Sequence, residues 1–329
     1  MNNKLNKIFV VFMVFALAFT LSGCGQQNTT GKTFIGGTEG LKTSFLPGSP
    51  PDRTVDGGQG GFSIVVKAEN VGESDIKATE GYVQIWGLDA RTYGSSLPDF
   101  KKKFSEQSGF GEELRGAVKN FDGTVLNGGV ATIELGDLKY GPTIQGDIQQ
   151  KIWANVCYKY TTKVATQICV KNNVEQALSG NEICTVEGEK SPQNSGAPIH
   201  VTSLKESYAG NGKIGLTLQI SHVGTGDAFF KDDKLECNDV ESNLDRGKVR
   251  IKFKDVQVSG RNVPVVCQGV SDGYVRLFKD GSGKETTTLY CTVDVSGSDN
   301  VVEVPLDLEL GYTYLQHVES DITIRHIAK

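Results

Sequence analysis

The stretch Phe62–Asp75, FSIVVKAENVGESD, returns in altered form as Ile214–Asp227, IGLTLQISHVGTGD. The two stretches align without a gap at an offset of 152 residues, and both end in Val-Gly-x-x-Asp. Apolar residues alternate along both, which is typical of a strand with one buried face. We therefore predict two β-strands in equivalent positions of a duplicated fold.

A second repeated block supports the duplication. Val156–Val170, VCYKYTTKVATQICV, matches Leu310–Ile324, LGYTYLQHVESDITI, at an offset of 154 residues, with two tyrosines at the same positions in each. Because two separate blocks repeat at nearly the same offset, we predict two copies of one domain, at residues 41–173 and 197–329.

Most other apolar segments are short and alternating, with Gly, Asn or Asp between them, for example residues 82–86, 130–135 and 248–253. Closely spaced segments of this kind predict antiparallel β-sandwiches, so we expect an all-β protein of two tandem immunoglobulin-like sandwiches. Residues 174–196 are polar and rich in turn-forming residues, which predicts a linker between the two domains.

One short helix is expected near Pro98, because Phe100 and Phe104 are four residues apart and would share a face. The lysines Lys101–Lys103 would then be mostly solvated. We place this helix in a loop insertion of the first domain at about residues 89–122, and we expect the insertion to carry any contact surface.

The amino terminus has the layout of an export signal. In residues 1–23, two lysines precede Ile8–Leu21, an apolar run of 14 residues that is shorter than the roughly 20 needed to span a membrane. The sequence Leu21-Ser22-Gly23-Cys24 resembles the lipobox of prokaryotic lipoproteins. The resemblance implies cleavage before Cys24, acylation of Cys24, and attachment to a membrane through that lipid. An ordinary secretory signal with an incidental Cys is the alternative.

Residues 24–40 are polar and glycine-rich after the acylated Cys24, which predicts a flexible tether. The tether holds Asn28, the acceptor of an N-glycosylation sequon. The mature chain would therefore be exported and lipid-anchored, on the outer side of the cytoplasmic membrane or in the cell envelope, in either a bacterial or an archaeal host.

Composition narrows the classes of partner. The 329 residues carry a formal net charge of −5 and include four His. The negative balance argues against nucleic acid, because neutralising phosphates requires a basic surface. The scarcity of His argues against a His-rich metal enzyme, and we expect no cofactor.

Cysteine usage predicts disulfides. The chain has seven cysteines, and six remain when Cys24 is set aside: Cys157, Cys169, Cys184, Cys237, Cys267 and Cys291. An even number of cysteines in an exported chain suggests three disulfides. A hairpin turning near Lys163 would place Cys157 opposite Cys169 on the outward face, with the even-numbered residues facing the core. The second copy has Gly311 and Thr323 at these positions, so both cysteines are lost together, as partners should be.

The other four cysteines allow three connectivities. We favour Cys267–Cys291, which would flank one hairpin-like segment, and Cys184–Cys237, which would tie the linker to the second domain. A thiolate metal site is the alternative, although the sequence has no C-x-x-C.

Motifs that carry catalysis are weakly represented. Ser74-Asp75-Ile76-Lys77 fits S-x-x-K, but it follows a strand in a predicted turn rather than opening a helix, so a surface turn is the better interpretation. The four His are scattered, with His317 at the expected tip of the last hairpin. We therefore predict that the chain is not an enzyme.

Two ligand sites can be considered beside the structural interpretation. Three carboxylates in the acidic stretch 231–245 could ligate Ca²⁺, although a solvated acidic loop is the default: Asp232, Asp233 and Asp239. Tyr82, Trp86 and Trp153 could form an aromatic platform for a glycan, with Trp153 and Tyr82 as the ligand contacts. Packing in the core or between elements is the preferred interpretation, and Trp86 is expected to lie in a sandwich core.

The strand that ends in Asn70-Val71-Gly72 resembles the CARDB-type and related immunoglobulin-like repeats of archaeal and bacterial surface proteins, and the second copy has His222 in place of the Asn. The resemblance implies β-sandwiches used for adhesion, spacing or binding. We expect a membrane-anchored extracytoplasmic lipoprotein with a non-catalytic adhesion, spacer or envelope-assembly role, whose partner is another envelope or surface protein. The alternative is an accessory lipoprotein that binds a glycan or another small ligand.

Overall fold

The computed structural model describes residues 32–96, 100–107, 110–171, 183–210, 212–230, 235, 237, 245–297 and 301–327. Several predictions fall outside this range: the signal peptide at residues 1–23, Cys24, Asn28, Pro98 and the carboxylates Asp232, Asp233 and Asp239. Among the described residues, no helix has the length and apolarity that crossing a membrane would require.

The described chain is all-β, with several antiparallel sheets, as expected. Its first twelve strands are β1 (Leu41–Phe45), β2 (Arg53–Val55), β3 (Gly61–Asn70), β4 (Ile76–Lys77), β5 (Gly81–Trp86), β6 (Lys101–Lys103), β7 (Glu113–Leu114), β8 (Val118–Lys119), β9 (Val125–Leu126), β10 (Val130–Lys139), β11 (Ile148–Val170) and β12 (Gly188–Lys190). The others are β13 (Gln193–Asn194), β14 (Ile199–Gly210), β15 (Lys213–His222), β16 (Asp227–Phe229), β17 (Lys248–Phe253), β18 (Val256–Val258), β19 (Arg261–Val263), β20 (Val266–Gln268), β21 (Tyr274–Arg276), β22 (Phe278–Lys279), β23 (Glu285–Asp294) and β24 (Val302–Arg325). Short 3-10 turns occupy Ala78–Glu80 and Phe104–Glu106.

A central sheet in the order β21-β17-β24-β11-β5-β6 organises the molecule. β11 and β24 pair antiparallel along the full 23 residues of β11, from Ile148 opposite Ile324 to Val170 opposite Val302. The predicted hairpin near Lys163 is therefore wrong. Lys163 continues the ladder opposite Glu309, because β11 finds its partner in β24 rather than in its own second half.

The pairing of β11 with β24 is symmetric about its middle. Lys159 and Thr313, which the repeat offset of 154 makes equivalent, lie opposite each other in this ladder. β5 lies on the far side of β11, and β17 lies on the far side of β24. The two strands that opened the sequence comparison are also placed alike, since β3 lies between β1 and β10 and β15 lies between β14 and β23.

The inward faces form the core as the alternation predicts. Val156, Tyr158, Ile168 and Val170 are all buried. Leu310, Tyr312, Ile322 and Ile324 are buried in the same way on β24. Four tyrosines meet near the middle of the ladder, where their rings pack mostly edge to face: Tyr158, Tyr160, Tyr312 and Tyr314.

The helix expected near Phe100 is wrong. Lys101–Lys103 forms β6 and pairs with β5, which supplies ladder hydrogen bonds that one turn of isolated helix would not recover. Phe100 and Phe104 are nevertheless both buried. Gly81 makes room for the second of these rings, because a Cβ there would overlap Phe104.

The disulfides differ from two of the three predicted pairings. The bonds are Cys157–Cys237, Cys169–Cys184 and Cys267–Cys291, so only Cys267–Cys291 is confirmed. Cys157 and Cys169 lie 12 residues apart on one extended strand, or about 40 Å, far beyond the roughly 7 Å between Cα atoms that a disulfide permits. The predicted Cys184–Cys237 is also wrong, because each of these cysteines bonds to a different position on β11.

The stretch predicted as a linker contributes to the sheets. Gly188–Lys190 pairs with β14, and Gln193–Asn194 pairs with β11. Lys190 also meets the fully buried carboxylate of Glu206, at 2.9 Å, and Glu206 accepts a hydrogen bond from the backbone N–H of Cys169. Thr33–Lys329 accordingly forms one compact unit.

Candidate functional site

The outer face of the central sheet, opposite the tyrosine core, carries a pocket of about 390 Å³ that we call the Gly311 groove. It lies at the middle of the β11–β24 ladder, beside the Lys159–Thr313 pair. Its lining comes from three strands, β11, β17 and β24, and from turns next to other strands: Asp75, Glu80, Lys159, Tyr160, Thr161, Phe230, Arg250, Lys252, Glu309, Gly311, Tyr312 and Thr313.

The groove exists because β24 has glycine at its floor. Gly311 lies between Arg250 on β17 and Thr161 on β11. A Cβ at Gly311 would find no atom closer than the Arg250 Cβ, at 3.9 Å. The neighbouring row carries full side chains, since Glu309 there lies between Lys252 and Lys163. Glycine within a strand often marks such a close approach for a ligand.

The lining of the Gly311 groove is charged but balanced. Three cations, Lys159, Arg250 and Lys252, stand against three carboxylates, Asp75, Glu80 and Glu309. One of the carboxylates already serves the fold, because Asp75 accepts a hydrogen bond from the N–H of Gly116 at 2.8 Å. A balanced lining favours polar or zwitterionic ligands over polyanions.

An aromatic pair borders this groove. Phe230 lines it and packs against Tyr274, with ring centroids 4.8 Å apart. The Phe230 ring gives this mostly polar groove one apolar wall against which a small polar ligand could pack.

The equivalent position on the other strand is closed. Cys157 corresponds to Gly311 at the repeat offset, and its disulfide fixes Cys237 over the sheet. The hydroxyl of Tyr82 accepts a hydrogen bond from the Cys237 N–H at 3.3 Å, and the Lys101 Nζ lies 4.0 Å from the centre of the Tyr82 ring. Tyr82 is therefore buried, which agrees with the preferred interpretation of packing and argues against its alternative role as a ligand contact.

The two tryptophans lie together at the edge of this face. Trp86 on β5 is directly opposite Trp153 on β11. Trp86 is 46% exposed, so its predicted place in a core is wrong, whereas Trp153 is half-buried. Gly87, with φ of 89°, lets the chain turn close against the Trp153 ring. We call the two indoles the Trp pair.

The tyrosine hydroxyls on the inner face are used in matching ways by the two repeats. The Tyr160 hydroxyl accepts the N–H of Ser74 at 3.2 Å, and the Tyr314 hydroxyl accepts the N–H of Gly226 at 2.6 Å. Ser74 and Gly226 are equivalent at the offset of 152. Burial raises the pKa of Tyr314 to about 12, so this phenol stays protonated at neutral pH.

The S-x-x-K stretch thus belongs to a structural turn. Ser74 is buried, its N–H binds Tyr160, and its carbonyl accepts a hydrogen bond from the Asn70 side chain at 2.8 Å. Lys77 lies on the short strand β4, which pairs with β7. The predicted surface turn is therefore correct only in part, because Ser74 is buried and Ile76–Lys77 is a strand.

The histidines are separate, and His317 lies in the middle of β24 opposite Asn155, so its predicted place at a hairpin tip is wrong. His222 contacts Glu285 at 3.2 Å and Tyr314 at 3.0 Å, and burial lowers its pKa. His326 contacts Asp56 at 2.8 Å, and this hydrogen bond contributes most to lowering the pKa of Asp56 to about 2. Within the part of the chain that the structure describes, no three or more potential ligands cluster as a metal site would require.

Sequence reasoning missed an exposed apolar hairpin formed by β8 and β9. Val118, Phe121, Val125 and Leu126 are 53%, 114%, 49% and 58% exposed. Asp122-Gly123 between short runs of valine and leucine is the signal that could have identified it. The hairpin continues past the end of the predicted insertion at about residue 122.

No family model matches the chain, and no curated protein matches it either. Among solved structures, the Serine-rich Repeat Adhesion Glycoprotein (Srr1) from Streptococcus agalactiae is 9% identical, with 88% of this chain and 97% of that chain covered and a TM-score of 0.15. A TM-score this low assigns neither a fold nor a function to the present chain.

Proposed function

We propose that this protein is an exported, lipid-anchored and non-catalytic scaffold of the cell envelope, which acts in adhesion, spacing or assembly. In this proposal its body consists of two immunoglobulin-like sandwiches, a duplicated CARDB-like unit, that share one central sheet. The observation that carries the proposal is the uninterrupted pairing of β11 with β24.

That pairing suits a rigid scaffold. At roughly 3.3 Å per residue, the 24 residues of β24 extend up to about 80 Å. Two of the disulfides fasten other segments to β11, at Cys157 and Cys169. A long ladder with cross-links on it resists bending, which is the property that a spacer or an assembly platform needs.

Chemistry at the middle of the molecule also supports a structural role. The hydroxyl of Tyr312 lies 2.9 Å from that of Thr162, which also donates to the Ile199 carbonyl at 2.6 Å. Burial raises the pKa of Tyr312 well above its ordinary value. These polar groups are committed to holding strands together.

Export is supported by the cysteines. Three disulfides in one chain are typical of proteins that fold in an oxidising compartment. This agrees with the lipobox at Leu21–Cys24, and acylation of Cys24 would supply the membrane partner.

The anchor is tested in a bacterial host that acylates lipoproteins, grown with labelled palmitate. We expect the full chain to carry the label and to sediment with membranes, and we expect Cys24→Ser to lose both properties. An unlabelled parent chain would overturn the anchor.

The scaffold role is tested by cross-linking the acylated chain in envelope fractions. We expect one stoichiometric protein partner in the cross-linked product. Retention on envelope polysaccharide without any protein partner would overturn an assembly role and favour the second function below.

Capture of a glycan or another small polar ligand is the second candidate function. The Trp pair and the Gly311 groove favour it, because an exposed indole and a balanced polar groove both suit sugars and zwitterions. Titration with envelope oligosaccharides should change the tryptophan fluorescence of the parent. Trp86→Ala should weaken this binding more than Phe278→Ser does, because Phe278 is exposed on β22 and belongs to neither the Trp pair nor the groove.

A further inference from the structure

The apolar hairpin projects hydrophobic side chains from a well-ordered turn. Val118 lies opposite Leu126, and Lys119 lies opposite Val125. The Asn120 N–H donates to the Thr124 carbonyl at 2.8 Å, which fixes the tip that carries Phe121. Phe121 is fully exposed. Exposed apolar groups gathered on one projection mark a contact surface.

The apolar groups lie on both faces of the hairpin and at its tip rather than on one side of it. Val118 and Leu126 share one face because they are paired, whereas Val125 shares the opposite face with Lys119 and Phe121 stands at the tip. A protein partner that packed against one face of the hairpin would leave the apolar groups of the other face exposed to solvent. A lipid bilayer surrounds whatever enters it, so it is the occupant that this distribution fits.

The base of the hairpin and the segment that precedes β1 contact the same turn, at Gly72 and Glu73. The N–H of Ala117 donates to the Gly72 carbonyl at 2.7 Å. The next residue, Glu73, accepts hydrogen bonds from the N–H groups of Ile35 at 2.9 Å and Gly36 at 3.0 Å. The chain that leads back to Cys24 therefore starts beside the hairpin.

The lengths are compatible with one membrane for both attachments. Cys24 and Ile35 are eleven positions apart, which limits the separation of their Cα atoms to about 40 Å. Phe121 lies four residues beyond Ala117, or about 13 Å along a strand. A bilayer that holds an acyl chain on Cys24 is within reach of the hairpin tip.

We propose that the hairpin at residues 117–127 is a second, reversible membrane contact, in which Phe121, Val118, Val125 and Leu126 enter the boundary between headgroups and acyl chains. The proposal rests on the lipid anchor proposed above. Asp122, whose carboxylate accepts hydrogen bonds from Thr124 at 2.7 and 2.9 Å, keeps the insertion shallow. Two contacts would orient the body on the membrane, which a single point of attachment cannot do.

The first test uses the mature chain from residue 24 with Cys24→Ser, which carries no lipid, and vesicles of phosphatidylcholine with or without phosphatidylglycerol. We expect the chain to cosediment, and we expect Phe121→Ser to lower the partition coefficient about tenfold or more, because an exposed Phe loses its apolar contact. The matched control is Phe278→Ser, since Phe278 is 62% exposed on β22 and should leave binding unchanged. Equal binding by Phe121→Ser and the parent, or equal losses in both variants, would overturn the proposal.

The second test keeps the acyl anchor. In the lipidated chain, Phe121→Trp should be quenched by brominated lipids above the background of Trp86 and Trp153, whereas Phe278→Trp should not. An acylated chain without quenching at residue 121 overturns the hairpin contact and leaves the anchor intact. A parent chain with Cys24 intact that the host leaves unacylated, and whose vesicle binding still depends on Phe121, supports the hairpin contact and overturns the anchor.

Discussion

Cys157 and Gly311 occupy equivalent places on the two long strands, yet one place is closed and the other is open. At Cys157 a disulfide to Cys237 covers the sheet and buries Tyr82. At Gly311 the strand has no side chain, and a groove of about 390 Å³ lies above it. The two copies thus keep the same strand pairing, while the outer face is covered in one copy and open in the other.

The inner faces of the same strands changed far less. Tyr158 and Tyr312 are both buried, as are Tyr160 and Tyr314. Replacing an inward residue leaves a cavity or a clash, whereas an outward residue can change without disturbing the packing. The contrast teaches that divergence in function should be sought on the outer face.

Removing the disulfide that covers the sheet at Cys157 should have the largest effect on stability. The Cys157→Ala/Cys237→Ala double variant opens a cross-link with a sequence separation of 80, which in the chain-entropy model contributes about 4.5 kcal/mol. Cys267→Ala/Cys291→Ala, with a separation of 24, should lose about 3.5 kcal/mol. Denaturant unfolding of both variants measures the difference, and the reverse order would show that loop length does not set these contributions.

A change of pH should reveal a second difference between the repeats, with a smaller effect on stability than loss of the disulfide. His222 stands where the first repeat has Asn70, and burial lowers its pKa while Glu285 opposes the shift. The unfolded chain therefore binds the proton more readily than the folded chain, so stability should fall as the pH drops below about 6.5. We expect His222→Asn to reduce this loss of Tm between pH 7 and pH 5, because the variant has no buried imidazole to protonate at this position.

The control for that experiment is His317→Asn, because it makes the same substitution at a histidine that is exposed on β24 rather than buried. Some dependence of Tm on pH should persist in His222→Asn, since burial lowers the pKa of His200 as well. Parallel Tm curves for the parent and His222→Asn would show that His222 is not the source.

Filling the Gly311 groove should have the smallest effect on stability. Gly311→Val places its Cβ in open space on a strand, where a β-branched residue is preferred, so we expect a change within about 1 kcal/mol. Binding of any ligand that uses this groove should be lost. Gly72→Ala is the contrasting variant, because its Cβ would overlap the Tyr160 hydroxyl and should destabilise the fold clearly in thermal unfolding.

Alternation along the chain predicted many of the strands correctly. The predicted segment at residues 248–253 is β17, and the opening repeats are β3 and β15. These predictions succeed because one buried face imposes a period of two on the sequence. Partner choice has no such local signal, and the hairpin near Lys163 failed because Thr161 and Thr162 before it favour a continuing strand over a turn.

The functional surfaces were harder to predict. Cysteine pairing depends on which strands become neighbours, so spacing along the sequence misassigned Cys157 and Cys169. Trp86 was expected in a core because sandwiches often bury a Trp on an early-middle strand, but the position of a strand in the chain does not say which of its faces is exposed. Gly311 is visible as a glycine within a strand, yet only the pairing with Arg250 and Thr161 shows that it forms a floor.

The continuous β11–β24 ladder has a mechanical consequence. A force along these two strands would shear their backbone hydrogen bonds together, so the load is shared over the length of the ladder. A force across them would instead unzip the bonds one at a time from an end. A protein held at a surface by its amino terminus would therefore withstand tension best when its partner pulls parallel to β24.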